Sequence, residues 1–206
     1  MPSHRTALAA GVILLIFVAL YLVRDDFLPG PDNMTTSSSI PIQVSLSSDV
    51  SDASIFGSAK LRITLSNTSP HDISLLRWSS PLDNHVPAIG VISFTSSKTG
   101  DAAPCLNMKI NHRMPTNGYF SADDQSIIHV PAHGKVDEEV VFKEPEVALI
   151  KGEEYKAKAQ GNWMGVWVHE GGQKDEKLMF GDEMRTGKFE SEDIVVNIPN
   201  DDEAEL

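Results

Sequence analysis

The chain has 206 residues, a formal net charge of −12 at pH 7 and a single cysteine, Cys105. Once an apolar segment and tails are set aside, this length is enough for about one folded domain. The acidic balance argues against nucleic-acid binding, because neutralising phosphates requires lysine and arginine clustered on one face. The lone cysteine excludes an intramolecular disulfide, and we expect it to be a half-buried, small apolar side chain.

The first element is an apolar segment at residues 7–23, which contains no charged residue. It is long enough for about 25 Å of helix, the short end of a transmembrane span. No small-residue cleavage site follows it, since Arg24 and two aspartates come next. These features favour an uncleaved signal anchor over a cleaved signal peptide. Arg5 precedes the span, so we expect residues 1–6 in the cytoplasm and the remaining chain in the lumen or outside the cell.

A stalk, a folded domain and a tail are expected to follow the anchor. Residues 24–40 are rich in Pro, Gly, Ser and Thr, which is typical of a flexible linker. Residues 41–199 are expected to form the domain, and residues 200–206 an acidic tail with nothing to bury. Sequons for N-glycosylation begin at Asn33 and at Asn67, and both would fit a location in the secretory pathway.

Within the expected domain, apolar residues repeat with a period of two rather than 3.6. This alternation predicts nine strands bounded by turn-forming residues, at positions 42–46, 60–66, 73–78, 89–94, 126–130, 136–142, 155–163, 165–169 and 189–198. Residues 170–187 are predicted to be a long exposed hairpin loop. The predicted fold is therefore all-β, an immunoglobulin-like antiparallel β-sandwich preceded by one N-terminal transmembrane helix.

The sequence contains no recognisable metal-binding or cofactor-binding motif. The zinc-protease motif His-Glu-x-x-His is absent, because His169 and Glu170 are followed by two glycines and no second histidine. His129 and His133 are four residues apart, but Pro131 lies between them, so turn and strand-end histidines are the default interpretation. We expect no cofactor and no bound metal.

Acidic residues occur in pairs, of which Asp123-Asp124 is an example. Glycosidases need two carboxylates about 5–10 Å apart across a cleft, and sequence alone cannot place any two of these residues in that way. We expect these pairs to be solvated.

Trp163 and Trp167 are four residues apart and would point to the same face of a continuous strand. Gly165 between them permits a β-bulge, which would change this arrangement. Core packing is the favoured interpretation. The alternative is a pair of surface aromatics able to stack on a carbohydrate or a peptide.

The run LSNTSPHDISLLRWSSPLD at residues 65–83 is similar to a stretch in the β-domain of deuterolysin-type and peptidyl-lysine zinc metallopeptidases. The similarity is carried mainly by Leu75, Leu76, Trp78, Pro81, Leu82 and Asp83. Further segments resemble elements of the same β-domain, so that the resemblance covers about residues 41–198; these segments are residues 110–115, 130–142, 150–163 and 189–198. In that family the β-domain is a propeptide and a zinc-binding catalytic domain follows it, whereas none follows in this sequence. The resemblance therefore implies folding assistance or inhibition through protein binding and carries over no catalytic residue.

We therefore expect a non-catalytic, membrane-anchored, extracytoplasmic module that binds a secreted or luminal protein. One alternative is a hydrolase with a carboxylate site that the sequence does not locate, and another is a structural cell-surface domain. A bound metal or two converging carboxylates would favour the hydrolase. An exposed apolar surface or an open edge strand would favour the binding module.

Overall fold

The computed structural model describes residues 40–48, 57–171, 176–181 and 183–200. The predicted anchor at residues 7–23, the predicted stalk except residue 40 and the predicted acidic tail except residue 200 lie outside these ranges. The elements within them are, in chain order, β1 (Ile42–Ser48), β2 (Ala59–Asn67), β3 (Asp72–Leu76), α1 (Val86–Ile89), β4 (Ile92–Ser96), β5 (Tyr119–Ser121), β6 (Ile127–Val130), β7 (Lys135–Phe142), β8 (Glu154–His169), β9 (Lys177–Met179), β10 (Arg185–Glu190) and β11 (Ile194–Asn197). No helix in the described ranges is long and apolar enough to cross a bilayer.

Two antiparallel sheets pack face to face. The first has the order β1-β2-β7, and in β1 and β2 buried, mostly apolar residues alternate with more exposed, polar ones. The second is built on the long strand β8, which pairs with β10 and β11 and with β3 and β4, while β6 lies beyond β3. Apolar side chains of both sheets form one core, in which Leu61, Phe94 and Trp163 are fully buried. This arrangement confirms the predicted all-β, antiparallel two-sheet sandwich.

A β-bulge divides β8 into two parts that bury opposite residues. Trp163 pairs with Gly187 of β10, whereas Val166 pairs with Arg185, so β8 has one extra residue between these two pairs. Val166 consequently faces the main core, and Trp167 faces the other side of the sheet. The sequence predicted two separate strands here. The structure has one continuous strand, in which the bulge places buried side chains on both faces of the sheet.

A second, smaller apolar cluster lies on the outer face of the second sheet. Its buried members come from β3, β5, β6, β8 and β9, and they are Leu76, Phe120, Ile127, Trp167 and Leu178. The two short strands β5 and β9 pair with each other and form the layer over this cluster. The sequence predicted neither strand. It assigned β9 to an exposed loop, but Leu178 on β9 is only 1% exposed. It also merged β10 and β11 into one strand, at residues 189–198.

Strand β7 carries charged side chains on both of its faces. Glu138, on the inner side, pairs with Arg77 from the turn after β3 at 2.9 Å. Glu139, on the outer side, pairs with Lys60 at 2.9 Å and with Arg62 at 2.6 Å on β2. A hydrogen bond from Lys60, together with its Coulomb attraction, holds the pKa of the Glu139 carboxyl below its usual value. Charges on an edge strand disfavour pairing with a strand of another molecule.

Gly165 lets β8 pack closely against the second apolar cluster. A Cβ at this position would lie 2.9 Å from Leu76 Cδ1, 3.0 Å from Met184 Sδ and 3.2 Å from the Trp167 ring. We expect Gly165→Val to lower the free energy of unfolding by about 1–3 kcal/mol through overpacking. Urea denaturation followed by tryptophan fluorescence measures this loss. Gly171→Val is the matched control, since a Cβ there meets no atom within 4 Å; equal losses in the two variants would contradict the prediction.

Candidate binding surface

Residues 75–83 form the end of β3 and the turn that follows. Leu75 faces the main core, and Leu76 faces the second apolar cluster on the opposite side of the sheet. Pro81 and Leu82 are buried in the turn, so both contribute to packing rather than to an exposed site. These residues fix the turn in one position relative to the sandwich.

Asp83 is only 5% exposed, and its buried carboxylate holds this turn. One oxygen accepts a hydrogen bond from the Ser79 backbone N–H at 2.7 Å, and the other accepts from the His85 backbone N–H at 2.8 Å. Ser79 has φ = 54°, a left-handed conformation that non-glycine residues rarely adopt. The hydrogen bond from its amide to Asp83 helps to hold it there.

Trp78 projects from the same turn and stacks on His112. The ring centroids are 4.4 Å apart and the planes differ by 9°. The indole also meets Phe120 of β5 edge to face, with centroids 5.3 Å apart. His112 belongs to residues 103–118, which we call the basic loop. The stack therefore brings residues 110–115 into contact with the turn after β3.

The basic loop presents cationic and apolar side chains to solvent. The sequence contains no acidic residue between Asp101 and Asp123. Lys109 and Arg113 are exposed, and neither forms an ion pair with any carboxylate that the structure describes. The large apolar side chains exposed on the loop are Leu106, Met108 and Met114, at 52%, 45% and 40%. The loop thus differs from an otherwise acidic chain in both charge and exposed apolar content.

Backbone hydrogen bonds attach the first half of the loop to its neighbours. Ala103 N–H donates to the Phe94 carbonyl oxygen at 2.7 Å, and Met108 N–H donates to the Ala88 carbonyl oxygen at 2.8 Å. Cys105 forms an isolated β-bridge with Val147 between these two contacts. This half of the loop therefore has a defined conformation although it lacks regular secondary structure.

A cleft of about 260 Å³ lies between the loop and β4. Its apolar lining includes Ile92, Phe94, Cys105 and Val147, and Asn107 of the loop also contributes to it. Cys105 is half-buried there, as the sequence predicts.

A separate polar cluster, which sequence reasoning missed, lies on the outer face of the second sheet. The Ser74 hydroxyl is 2.8 Å from His129 Nδ1 and 2.7 Å from His169 Nε2, and His129 Nε2 is 2.7 Å from the Ala122 carbonyl oxygen. A carbonyl oxygen only accepts, so we assign the proton of His129 to Nε2; Ser74 then donates to His129 and accepts from His169. Ser74 is completely buried, so its hydroxyl is not open to a substrate. The cluster instead joins β3, β6 and β8 to the residue after β5.

Both tryptophans proposed as alternative surface aromatics are buried. Trp163 is 2% exposed and packs against Phe189 with ring centroids 4.5 Å apart. Trp167 is 4% exposed, and its Nε1–H donates to the Met179 carbonyl oxygen at 2.7 Å. The surface-pair alternative is therefore wrong, and the favoured interpretation of core packing is correct. The bulge near Gly165 explains why the two side chains lie on opposite faces of the sheet.

The sequon residue Asn67 is also buried, at 4% exposure. Its Nδ2 donates to three backbone carbonyl oxygens at 2.7–3.3 Å, and its Oδ1 accepts from the backbone and hydroxyl of Ser69 at 2.9 Å. A glycan on Nδ2 would displace these bonds, so the folded geometry weighs against glycosylation at this position. The other predicted acceptor, Asn33, lies outside the described residues.

Several of the paired carboxylates that the hydrolase alternative would need have structural partners. Asp124 accepts a hydrogen bond from the Ser126 backbone N–H at 2.7 Å, and Asp137 pairs with Arg62 at 3.1 Å. In the part of the chain that the structure describes, no group of three or more His, Cys, Asp or Glu residues is placed to hold a metal ion.

The profile of the immunoglobulin-like domain family matches residues 45–198. The chain belongs to this family. The match includes the sandwich strands from within β1 to β11, together with the β5–β9 layer and the basic loop. A comparison with curated proteins found no match. Since one fold supports many unrelated functions, the role of this immunoglobulin-like domain has to be argued from its surface.

Replacing Asp83 tests whether its carboxylate holds the turn. In Asp83→Asn, an amide NH₂ replaces one acceptor and faces the backbone N–H of Ser79 or of His85. We expect a loss of about 1–3 kcal/mol in the free energy of unfolding and faster hydrogen exchange at these two amides. Asp101→Asn, at an exposed position, should change stability by less than about 0.5 kcal/mol. Unchanged exchange at Ser79 and His85 would show that Asp83 does not hold the turn.

Ser74→Ala tests the polar cluster. The variant removes the hydroxyl that both imidazoles contact inside the domain, and we expect it to lower the free energy of unfolding by about 1–3 kcal/mol. Ser45→Ala, at an exposed position of β1, is the control and should be close to neutral. Chemical denaturation measures both values. Wild-type stability in Ser74→Ala would mean that the shared hydroxyl does not stabilise the fold.

Proposed function

We propose that this immunoglobulin-like domain is a non-catalytic, membrane-anchored, extracytoplasmic binding module, and that it binds a secreted or luminal protein through the basic loop. The observation that carries this proposal is the stack of Trp78 on His112. The stack holds a loop with exposed apolar and cationic side chains against a rigid sandwich. Binding residues are often found on loops that a rigid scaffold positions.

The apolar content of the loop supports a protein partner. Single exposed apolar side chains are common on protein surfaces, but Leu106, Met108 and Met114 lie on one loop, and grouped exposed apolar residues mark interaction sites. Methionine is unbranched and polarisable, so it adapts to the shape of a partner. Apolar side chains of this kind become buried when another molecule covers them.

Sequence features support the proposed location and the class of partner. The apolar segment at residues 7–23 has the composition and approximate length of a signal anchor. The resemblance to the propeptide of deuterolysin-type and peptidyl-lysine zinc metallopeptidases suggests a secreted metallopeptidase as the first partner to test.

The hydrolase alternative has less support. A catalytic acid in a glycosidase needs a raised pKa. The pKa shifts of two carboxyl groups are in the opposite direction: a hydrogen bond from Lys60 lowers the pKa of Glu139, and one from Lys158 lowers the pKa of Glu190. Both belong to ion pairs on the surface of the domain.

Site-specific crosslinking tests the proposal in the full-length protein. A photo-crosslinking amino acid is placed at Met108 in the basic loop or, as a matched exposed control, at Val195 on β11. We expect a secreted or luminal protein to crosslink from position 108 and not from position 195. Mass spectrometry of the same samples should find a chain that retains residues 7–23.

Two outcomes would contradict the proposal. A lack of crosslinks from position 108, or equal yields from the two positions, would rule out the basic loop as the binding surface. A mature chain that begins after residue 23 would rule out the anchor.

A further inference from the structure

We infer that the basic loop binds an acidic protein segment, and that an apolar side chain of this segment enters the cleft between the loop and β4. The inference rests on the proposed function, because it specifies the chemistry of the partner at the same surface.

The charge of the loop determines the charge of the partner. Several cations elsewhere in the domain have a carboxylate beside them, as Arg77 has Glu138. By contrast, Lys109 donates a hydrogen bond to the neutral Asn107 side chain at 3.2 Å. Charges on a protein surface are screened over about 8 Å at physiological ionic strength. For a small ligand at the loop, the exposed Lys109 and Arg113 therefore matter more than the net charge of −12 on the whole chain.

The short range of screened charge interactions also favours a protein segment over an anionic membrane as the partner. A bilayer is an extended surface, and bringing the loop to it would also bring acidic parts of the domain close to the lipid phosphates. A short acidic segment needs to meet the loop alone. The overall acidity therefore opposes membrane contact more strongly than it opposes binding of a segment.

The size of the cleft indicates what it can accept. Its volume of about 260 Å³ is below the roughly 300 Å³ at which small-molecule pockets usually begin. Protein interfaces often place one anchoring side chain in a small buried pocket. Ile92, Phe94 and Val147 form the floor of this cleft but are almost completely buried. An apolar anchor would therefore contact the half-buried Ala103 and Cys105 at its wall.

The cleft is held open before the partner arrives. Hydrogen bonds from Ala103 to Phe94 and from Met108 to Ala88 attach the loop on both sides of it. Binding would therefore order few additional residues, which reduces the entropic cost of association. Leu106 and Met108 flank Asn107 at the cleft and would cover the backbone of the bound segment.

The test uses full-length protein in non-ionic detergent and two short synthetic peptides. One peptide alternates Glu with Leu and Phe, and the other has Lys in place of every Glu. We expect the acidic peptide to bind, and its affinity to fall as the salt concentration is raised. We also expect the bound peptide to slow the alkylation of Cys105, which is the only cysteine of the chain and lines the cleft. The basic peptide should not bind.

Charge reversal provides the matched comparison. We expect the double variant Lys109→Glu, Arg113→Glu to bind the acidic peptide with an affinity at least about tenfold lower, which corresponds to about 1.4 kcal/mol. Lys156→Glu with Lys188→Glu adds the same negative charge at exposed positions on β8 and β10, and should leave the affinity unchanged. Circular dichroism checks that all variants are folded.

Several results would overturn the inference. Equal losses in the two double variants, or binding of the basic peptide, would rule out specific recognition of an acidic segment. Binding to phosphatidylserine vesicles without binding of the acidic peptide would make the loop a membrane contact. Unchanged alkylation of Cys105 in the presence of bound peptide would rule out entry into the cleft.

The crosslinking experiment separates this inference from the proposed function. A partner could crosslink at position 108 with equal yield in the wild type and in the Lys109→Glu, Arg113→Glu variant. In that case the inference of an acidic partner segment is wrong, whereas the proposal that the domain is a binding module still holds. If no partner crosslinks there, both proposals are wrong.

Discussion

The bulge in β8 turns Trp167 away from the main core, and the position of the basic loop depends on that change of direction. On the outer face of the sheet, Trp167 lies edge to face with Phe120, at 6.3 Å between centroids. Phe120 meets Trp78 in the same manner, and Trp78 stacks on His112. This series of four rings links the central strand to the loop. Aromatic pairs in such geometries contribute about 0.5–1.5 kcal/mol each beyond the burial of their surface.

The arrangement explains how one immunoglobulin-like sandwich can present a loop that has little secondary structure. Residues of the loop itself bury little apolar surface, since Leu106, Met108 and Met114 are exposed. Its conformation depends on the stack at His112 and on the backbone hydrogen bonds of its first half. The exposed side chains can therefore adapt to a partner while the loop stays in place.

Local patterns predicted the sandwich but not the layer on its outer face. Strands with one buried face alternate in polarity, and for that reason β1, β2 and β7 were recognisable. β5 and β9 have three residues each, too few to show a period, and they are stable because they pair with each other across a long sequence separation. The cluster of Ser74, His129 and His169 depends on strand register, which a single sequence does not contain. Gly165 was a correct local signal of the bulge. Predicting which face of the sheet each tryptophan occupies, however, would have required knowledge of the pairing between β8 and β10.

The edge strand β7 bears on whether a partner could bind by strand addition. Adding a strand from another protein requires an edge with accessible backbone groups and few charges. In the described part of the chain, β7 pairs only with β2, but Glu138 and Glu139 place charges on both of its faces. A partner strand at this edge would have to disturb or accommodate these ion pairs. Recognition through side chains at the basic loop avoids that cost, and its first half is already fixed by hydrogen bonds to the α1 and β4 segments. The charged edge of β7 and the fixed loop thus both favour the proposed binding at the loop over strand addition at β7.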